Sequence, residues 1–530
     1  MLYSLCLIPD SPLPIHKKLI KTMKKWIIAV TVVLCALIEL IDSTVVNVAL
    51  AQLMGNLGAT LGEVSWVIAS YAIANVIIVP MAGWLSSQFG RRNYFTGSVI
   101  LFTVASFACG HASGIWELVA YRFIQGIGGG ALMSTAQSIL FETFPPEQRG
   151  LAGAMFGLGV VVGPTIGPTL GGYIVDNYSW PWIFYINVPI GIIAAFMSYT
   201  FIEDSKYAVK TPIDRVDWLG IGFLIAGIGG LQLVLEQGER EDWFQSNFII
   251  AFTIISVVGL VAFVYRELTY DNPIVNLRIL KNSNLATGTV LSFVLGFGLF
   301  ASVFLYPVFT QRILGFTAAQ TGFSLLPGAL LTAFCMPLVG NLIAKGINPK
   351  YLIIIGFTIF FSFTFMTSMS MATTAGVDDF FWPLLLRGAG MGFIFVPLTT
   401  LSLSTLETKD IAQGSGLTSM MRQLGGSFSV AIMAILLENK VADHRVSLLK
   451  NYAINDTELV QRLNGYQQAF MAKGFSAAQA LQQGYFALNM NLLKQSSILA
   501  YKDTFQLVGA FFIVCIPFVL LVNVKKKEVA

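Results

Sequence analysis

The chain has 530 residues, of which 55% are hydrophobic and 11% are charged, and its mean hydropathy is +0.72. A soluble protein of this length cannot bury that much apolar surface, so the composition predicts an integral membrane protein with many spans. The net charge of +4 is too small to indicate a nucleic-acid partner.

The N-terminal segment, residues 1–25, is basic and precedes a long apolar run at 26–50. That run is longer than the core of a signal peptide and lacks a cleavage site, so we expect it to remain as the first span. Met23 is followed by two lysines and is a natural start. We therefore expect residues 1–22 to be either a disordered extension or a start-site artefact.

About fourteen apolar runs of spanning length follow one another, at roughly 20 residues per span. Basic segments lie in alternate loops, which the positive-inside rule places in the cytoplasm together with both termini. Both termini share a side only if the number of spans is even, and fourteen satisfies this. The predicted spans are 26–50, 64–85, 94–113, 116–140, 151–175, 181–202, 217–236, 246–266, 285–310, 321–344, 350–373, 380–404, 412–437 and 504–523.

A weak internal repeat indicates two related halves. Residues 80–85 recur as 337–342, and Arg122 before a glycine-rich stretch is echoed by Arg387. Two halves that meet at a midplane site are typical of secondary transporters. We expect an all-α fold with a cytoplasmic extension at 1–25, a six-helix half at 26–202, a linker with two inserted helices at 203–284, a second half at 285–523 and a cytoplasmic tail at 524–530.

The segment 438–503 is polar and, by the parity of the spans, faces outward. Two parts of it have apolar residues at helical spacing, led by Leu459 and Leu481. Gly474 interrupts the pattern, and Ser476 with Gln479 is typical of a capping box that opens a second helix. The sequence predicts a helical hairpin that projects from the membrane.

A glycine-rich stretch at 159–172 predicts an unusually close helix contact. Its glycines recur every four residues and form a stripe without side chains, along which a neighbouring helix approaches closely in a bilayer. Two prolines within the stretch bend the helix. The residues are Gly159, Gly163, Pro164, Gly167, Pro168, Gly171 and Gly172.

Charged side chains within spans mark candidate functional positions, because each costs about 2.5 to 3.5 kcal/mol at the centre of a span. Glu39 and Asp42 are three residues apart and share one face of the first span. Arg122, Arg387 and Arg422 lie in later spans, where they either pair, reach toward the interface or set specificity. Burial favours a neutral carboxyl and a nearby arginine favours the ionised one, so such a site can load and unload a proton.

Four stretches together resemble the fourteen-span drug:proton antiporters of the major facilitator superfamily, the EmrB/QacA type, and most of all its EmrB-like permease subunits. They are 39–50, 122–130, 159–172 and 180–191, and the resemblance extends from about Trp26 to the end. It implies the superfamily fold, with Glu39, Asp42 and Arg122 coupling transport to protons. It also implies that the glycine stripe is the antiporter motif and the surface on which the halves close.

The loop after the second span departs from the superfamily pattern at one position. Gly83, Gly90, Arg91 and Arg92 match it, whereas Ser87 stands where an aspartate is usual. That acid normally helps to latch the cytoplasmic ends of the helices, so the resemblance leaves the latch in question.

The resemblance implies proton-driven export of amphipathic and cationic compounds across the bacterial inner membrane by alternating access. The proton-motive force is the only drive, and no cofactor or metal is expected, since the histidines and cysteines lack ligand spacing. An aromatic stripe in the ninth span either lines a pocket, packs in the core or faces lipid. The pocket candidates are Asn47, Gln125, Phe293, Phe297, Phe300 and Arg422.

The outward hairpin is either a docking element or a lid over the outer vestibule. The resemblance implies docking to an EmrA-like periplasmic membrane-fusion adaptor that leads to an outer-membrane channel. Two other functions remain open: export of an endogenous metabolite such as a siderophore or lipid, and a non-transporting scaffold or receptor. An enzyme is disfavoured, because the sequence has no phosphate-binding glycine loop and no nucleophile motif.

Overall fold

The computed structural model describes residues 14–205, 210, 212–450 and 457–520, and within these ranges it consists of helices and connecting loops without a β-strand. The all-α fold predicted from the sequence is confirmed. The basic loop at 206–211 lies largely outside the described residues, and the tail at 524–530 lies wholly outside them.

The N-terminal helices form one bundle. The first helix begins at Pro14, inside the segment for which a disordered extension was one expectation, and residues 1–13 lie outside the described ranges. The short α6 and the following α7 together make the sixth span. The helices are α1 (Pro14–Leu57), α2 (Leu61–Phe89), α3 (Arg91–Gly110), α4 (Ile115–Thr143), α5 (Arg149–Asn177), α6 (Trp182–Tyr185) and α7 (Asn187–Phe201).

Two spans follow that are packed on each other. The first consists of α8 (Trp218–Leu224), a π-helical turn and α9 (Gly230–Gln237), and the second is α10 (Asn247–Thr269). Gly227 in the π-helical turn lies against Gly259 of α10, so closely that a Cβ on Gly259 would stand 2.6 Å from the Gly227 amide nitrogen. The two spans therefore make a backbone-close pair.

The remaining helices form a second bundle. The fifth of them, α15, is 40 residues long, and the last, α17, is 44 residues long, so both extend beyond the thickness of a bilayer. The helices are α11 (Ser283–Arg312), α12 (Ala318–Ala344), α13 (Pro349–Ser370), α14 (Phe381–Ser404), α15 (Ile411–Lys450), α16 (Thr457–Ala472) and α17 (Ala477–Leu520).

The number of spans agrees with the prediction once α4 is included. In the described part of the chain, thirteen helical segments have the length and hydropathy of a membrane span. The 29-residue α4 is not among them, since it carries Glu117, Arg122, several glycines and other polar residues. It packs along α2 and α3 inside the N-terminal bundle, where most of its polar side chains, Arg122 among them, are buried, and we count it as the fourteenth span.

The second helix of each bundle is built in the same way. Thr60 and Glu63 form a capping box at the start of α2, and Thr317 and Gln320 form one at the start of α12. Each helix contains a proline from the repeated segment, and each is followed by a glycine with positive φ. The short sequence repeat thus corresponds to a repeated structure.

The bundles meet mainly along α5 with α12 and α2 with α15, and α5 also packs on α14 and α4 on α15. Close contacts occur at the end of the molecule that carries Arg91, Arg149 and Lys345, which we call the basic end. There a Cβ on Gly150 would stand 2.9 Å from the carbonyl oxygen of Gly340 in the other bundle. Arg149 also donates to the carbonyl oxygen of Ser404 at 3.2 Å. The two bundles are therefore in direct contact at the basic end.

The inserted span α8–α9 bridges the two bundles. Ser65 of α2 donates to Gln237 of α9 at 3.2 Å, and Gln232 of α9 donates to Ser427 of α15 at 2.8 Å. Gln232 also donates to Glu236 at 2.9 Å. Through these side chains, α9 is fastened to both halves at the end opposite the basic one.

A helical hairpin is present where it was predicted, with one difference. The break at Gly474 has φ +94°, and Ser476 and Gln479 exchange the hydrogen bonds of a capping box. Leu463 of α16 packs against Gly484 of α17. However, the second helix is not a separate short element, because α17 runs without interruption from Ala477 into the last span. Residues 451–456 lie outside the described part.

Candidate functional site: a buried carboxylate network between α1 and its neighbours

The first span places both predicted acids inside the protein. Glu39 is 4% exposed and Asp42 is 0% exposed, so both acids are buried within a membrane-spanning helix bundle. Because they are three residues apart, they project from one face of α1 toward α2 and α4. Each acid accepts hydrogen bonds from a different set of polar side chains, and the two sets differ in charge.

Asp42 is held by three donors from two helices. Arg122 of α4 donates to Oδ2 at 2.5 Å, while Gln125 and Asn187 donate to Oδ1 at 3.0 and 2.7 Å. Arg122 also donates to the carbonyl oxygen of Val67 at 3.3 Å. A carboxylate that accepts several donors, one of them a guanidinium, is stabilised in its ionised form. Asp42 and Arg122 therefore form a buried, fully satisfied ion pair.

Arg122 is also enclosed by aromatic rings. Its guanidinium lies 4.1 Å from the ring centroid of Tyr71 and 5.7 Å from that of Phe184. Such cation–π contacts are strongest where water is excluded. They explain how an arginine that is 1% exposed is accommodated within a membrane span.

Glu39 has only neutral partners. Asn75 and Tyr71 of α2 donate to Oε1 at 3.0 and 3.3 Å, and Oε2 has no hydrogen-bond partner. A buried carboxyl oxygen without a donor favours the protonated form, since the neutral acid loses less solvation on burial. Glu39 is therefore the acid whose environment suits reversible protonation.

A buried arginine of the C-terminal bundle lies at the boundary between the bundles. Arg422 of α15 is 2% exposed, and its guanidinium lies 5.8 Å from the ring centroid of Phe156 in α5. Its Nη2 donates to Ser419 at 3.0 Å, and Ser419 donates to Gln137 of α4 at 3.1 Å. Phe395 of the same bundle flanks the guanidinium with its ring centroid at 5.5 Å.

Three buried polar atoms at this boundary lack a hydrogen-bond partner: Glu39 Oε2, Gln137 Nε2 and Arg422 Nη1. One is an acceptor and two are donors, and they come from both bundles. Unsatisfied buried polar groups are rare in native proteins and call for an explanation such as a ligand. These three atoms are therefore candidates for contact with a ligand.

The glycine stripe makes the close contact that was predicted, but with a different partner. A Cβ on Gly163 would stand 2.7 Å from Leu40 Cβ, and one on Gly167 would stand 2.0 Å from Thr44 Oγ1. Both neighbours belong to α1 of the same bundle. The expectation that the stripe closes against the other half is wrong for this structure, because its glycines lie on the face of α5 that packs on α1. Gly172 alone of the motif lies against the C-terminal bundle, at Ala318.

The predicted pocket residues do not converge. Gln125 belongs to the Asp42 network, and Asn47 is exposed on α1. Phe293 packs on Phe428, while Phe297 packs on Phe511 of α17 with a centroid distance of 4.8 Å. Phe300 lies against Gly426 of α15. The aromatic stripe thus packs largely within the C-terminal bundle, although Phe293, like Arg422, lies at the boundary, against the apolar cluster that α2 and α15 share.

The loop after α2 is fastened by acids that the motif did not predict. Arg91 pairs with Glu142 at the end of α4, and both side chains are 10% exposed. Asp204 accepts from the Arg92 amide nitrogen at 2.9 Å, next to Gly90 with φ +84°. Ser87 donates to the Gly83 carbonyl of its own helix at 3.1 Å. The acids at 142 and 204 therefore join these helix ends, whereas the hydrogen bond that Ser87 donates among the described residues stays within its own helix.

Sequence reasoning also missed Asn75, Asn187 and Gln137. Each is an amide inside an otherwise apolar span, which is a visible signal, since an uncharged polar side chain in lipid also needs a partner. What the sequence did not contain was the pairing. Asn187 lies 145 positions from the Asp42 carboxylate that it contacts.

Comparison with known proteins agrees with this geometry. Residues 32–430 match the family model of the Major Facilitator Superfamily. The chain is 33% identical over 504 residues to the multidrug export protein EmrB of Escherichia coli (strain K12), covering 93% of this chain and 94% of the relative. It is 34% identical over 490 residues to the fatty acid resistance protein FarB of Neisseria gonorrhoeae, covering 92% and 94% of the two chains.

A solved structure supports the same fold. The proton:xylose symporter XylE, solved with 6-bromo-6-deoxy-D-glucose, aligns with a TM-score of 0.58 at 15% identity, over 94% of this chain and 97% of the symporter. At that identity the likeness concerns the fold alone. Together with the family match and the fourteen spans, it leads to one conclusion: the chain is an integral membrane protein that belongs to the Major Facilitator Superfamily.

Proposed function

We propose that this protein is a proton-coupled exporter of amphipathic compounds that works by alternating access. The observation that carries the proposal is Glu39, a buried carboxylate with an unpartnered oxygen at the boundary between two helix bundles. A buried ionisable residue in a transporter marks a proton or substrate pathway. The name of the EmrB relative, a multidrug export protein, supports export as the direction.

In this proposal the two acids have different tasks. Glu39 takes up and releases the proton, because its only hydrogen-bond donors are neutral. Asp42 forms the ion pair that fixes Arg122 in place. When Glu39 is ionised, its charge attracts Arg422 across the boundary, and when it is protonated that attraction is lost. Protonation thereby changes how strongly the halves hold together at the level of the site.

Substrate binds at the same boundary. The unpartnered atoms of Glu39, Gln137 and Arg422 contact its polar group, and the rings of Phe156 and Phe395 contact its apolar body. Ionised Glu39 attracts a cation, whereas protonation removes the attraction and releases the compound. Binding of a proton and of a cationic substrate at one carboxylate is mutually exclusive, which yields antiport.

A second candidate substrate class is a lipid-like amphiphile of endogenous origin. The name of the FarB relative, a fatty acid resistance protein, favours it. The same boundary serves both classes, because Arg422 Nη1 is a free donor for an acidic head group.

We place the basic end in the cytoplasm, because basic loops are retained on that side of the membrane. The membrane is the bacterial inner membrane, and both termini face the cytoplasm. The hairpin of α16 and α17 then projects outward. Its α17 side exposes Phe486, Met490 and Leu493, spaced on one helix face, and this face is where we propose that a periplasmic adaptor docks.

The test uses the purified protein in proteoliposomes. An imposed pH gradient should drive uptake of ethidium into inside-out vesicles, and collapse of the gradient should stop it. Glu39→Gln should abolish the gradient-driven accumulation and weaken ethidium binding, because glutamine can neither take up the proton nor attract the cation. Accumulation by Glu39→Gln at the wild-type rate would remove Glu39 from the coupling step.

A further inference from the structure

The C-terminal bundle contains a buried cation without a counter-charge. Arg387 of α14 is 3% exposed. Its Nε donates to Ser302 at 2.9 Å, and its Nη2 has no hydrogen-bond partner. Over residues 14–205, 210, 212–450 and 457–520, no carboxylate forms an ion pair with it. Arginine does not lose its proton in proteins, so this charge is permanent.

The neighbouring hydroxyl groups do not supply the missing charge. Ser302 donates its own proton to the Leu299 carbonyl and meets Arg387 through a neutral lone pair. Ser324 donates to Thr321, so the nearby Tyr306 must donate to Ser324 in the hydrogen bond that joins them. Both hydroxyls are uncharged. A buried charge is stable only where it is paired, and these contacts leave Arg387 unpaired.

The equivalent position in the N-terminal bundle is paired. Arg122 lies on the fourth helix of its half and bonds the first helix through Asp42. Arg387 lies on the fourth helix of the other half, α14, and bonds its first helix, α11, through Ser302. In each half, therefore, an arginine on the fourth helix donates a hydrogen bond to a side chain of the first helix. In the C-terminal half a serine stands where the N-terminal half has the carboxylate.

We propose that a small monovalent inorganic anion of the chloride class binds at Arg387 and takes the place of the missing carboxylate. It is held by the free Nη2 of Arg387, beside Ser302 on α11. Bound there, it neutralises the guanidinium, as Asp42 neutralises that of Arg122. The proposal does not depend on proton coupling at Glu39, which lies in the other bundle.

The test is the thermal stability of the full chain in detergent, followed by tryptophan fluorescence. Gluconate is replaced stepwise by chloride or bromide at constant ionic strength and pH. A ligand that binds only the folded state raises Tm with the logarithm of its concentration once its dissociation constant is exceeded. We expect Tm of the wild type to rise with chloride and with bromide.

Two substitutions distinguish this site from general salt effects. Ser302→Asp supplies an internal carboxylate, so its Tm in gluconate should be at least that of the wild type in chloride and should no longer respond to halide. Ser302→Asn, matched in size but neutral, should keep the halide response. A wild type without any halide response would overturn the proposal, as would Ser302→Asp with the full response.

Direct binding covers the case in which Ser302→Asp does not fold. Radioactive chloride should bind the wild-type protein saturably and be displaced by bromide, and Arg387→Gln should lose that binding. If acetate or hexanoate stabilises the protein while chloride does not, Arg387 receives an organic carboxylate instead, and the inorganic-anion proposal is wrong.

Discussion

Arg122 and Asp42 are joined by a 2.5 Å ion pair in which both side chains are at most 1% exposed. Three donors satisfy this carboxylate, whereas Glu39, one helical turn away, keeps one oxygen unpartnered. Two acids on one helix face therefore have different roles. The Asp42–Arg122 ion pair stabilises the helix bundle, whereas the Glu39 carboxyl has an oxygen available to bind a proton.

Substitution of the two acids should separate stability from coupling. Asp42→Asn leaves Arg122 buried without a counter-charge, which typically costs about 3 to 5 kcal/mol. We expect a lower Tm in detergent and poor yield, together with loss of efflux. Glu39→Gln keeps an acceptor for Asn75 and Tyr71 and should melt close to the wild type while losing ethidium efflux from cells. The assignment fails if Glu39→Gln is the less stable variant.

The glycine stripe allows a graded test with a built-in control. At Gly167 an added methyl meets Thr44 Oγ1 at 2.0 Å, and at Gly163 it meets Leu40 Cβ at 2.7 Å. At Gly159 the nearest atom is 3.6 Å away, an ordinary contact. Gly167→Ala should destabilise the protein by about 1 to 3 kcal/mol through overpacking, Gly163→Ala by less, and Gly159→Ala little.

The order of Tm values among these three alanine variants is the measurement, with efflux recorded beside it. Thr44→Ala combined with Gly167→Ala should recover part of the loss, because it removes the clashing hydroxyl. Equal Tm values for Gly159→Ala and Gly167→Ala would contradict the close packing of α5 on α1.

The charge of the substrate should affect transport. At the boundary between the bundles, Asp42 is already satisfied, so Glu39 is the acid left to meet a cation. A monocation such as ethidium should therefore be exported better than a large dication such as chlorhexidine. Minimum inhibitory concentrations in a strain that lacks its own pumps provide the measurement. Equal protection against both compounds would show that a second acid takes part.

Asp204 should contribute to stability at the basic end. Its carboxylate accepts from the Arg92 amide at the start of α3, a position where a side-chain acceptor is worth about 0.5 to 2 kcal/mol. Asp204→Ala should lower Tm, and Asp204→Asn should lower it less. The neighbouring Glu203 makes an exposed pair with Lys24, so Glu203→Ala serves as the control with a smaller effect. A larger effect at Glu203 would contradict the capping role.

The exposed face of the hairpin should matter only in the cell. Phe486 is 61% exposed and Met490 is 47% exposed, so Phe486→Glu and Met490→Glu leave the fold intact. We expect them to abolish resistance and co-purification of a periplasmic adaptor while transport in proteoliposomes continues. Gln483→Glu, an exposed position in the preceding turn, is the control that keeps both. Transport lost in proteoliposomes would instead make the hairpin part of the pump.

The sequence was sufficient to predict whatever depends on a local pattern. Apolar runs gave the spans, and spacing gave the shared face of Glu39 and Asp42 and the capping box at Ser476. Contacts between distant segments were not accessible in this way. Asn187 joins Asp42, and Gln137 is linked to Arg422 through Ser419, but an amide in a span shows only that it needs a partner, not which one.

The same limit explains the error in the glycine stripe. Four glycines in register predict that some helix approaches, and they carry no information about which helix it is. In the structure, Gly163 and Gly167 of α5 pack against α1, the helix that bears the two acids. The face of α5 that meets the other bundle is a different one, with Gly153 and Gly157 against Thr399 and Phe395.

Because α17 is continuous, the outward hairpin must move together with the last span of the C-terminal bundle. At about 1.5 Å per residue, its 44 residues form a rod about 65 Å long whose inner part is a span of the C-terminal bundle. When the halves rock, a tilt of roughly 10° at the membrane displaces the far end of the outward part, about 40 Å long, by about 7 Å. A distance label on Gln483 would therefore report the conformational state of the transporter from outside the membrane. A partner bound at that end would, in turn, be displaced in each transport cycle.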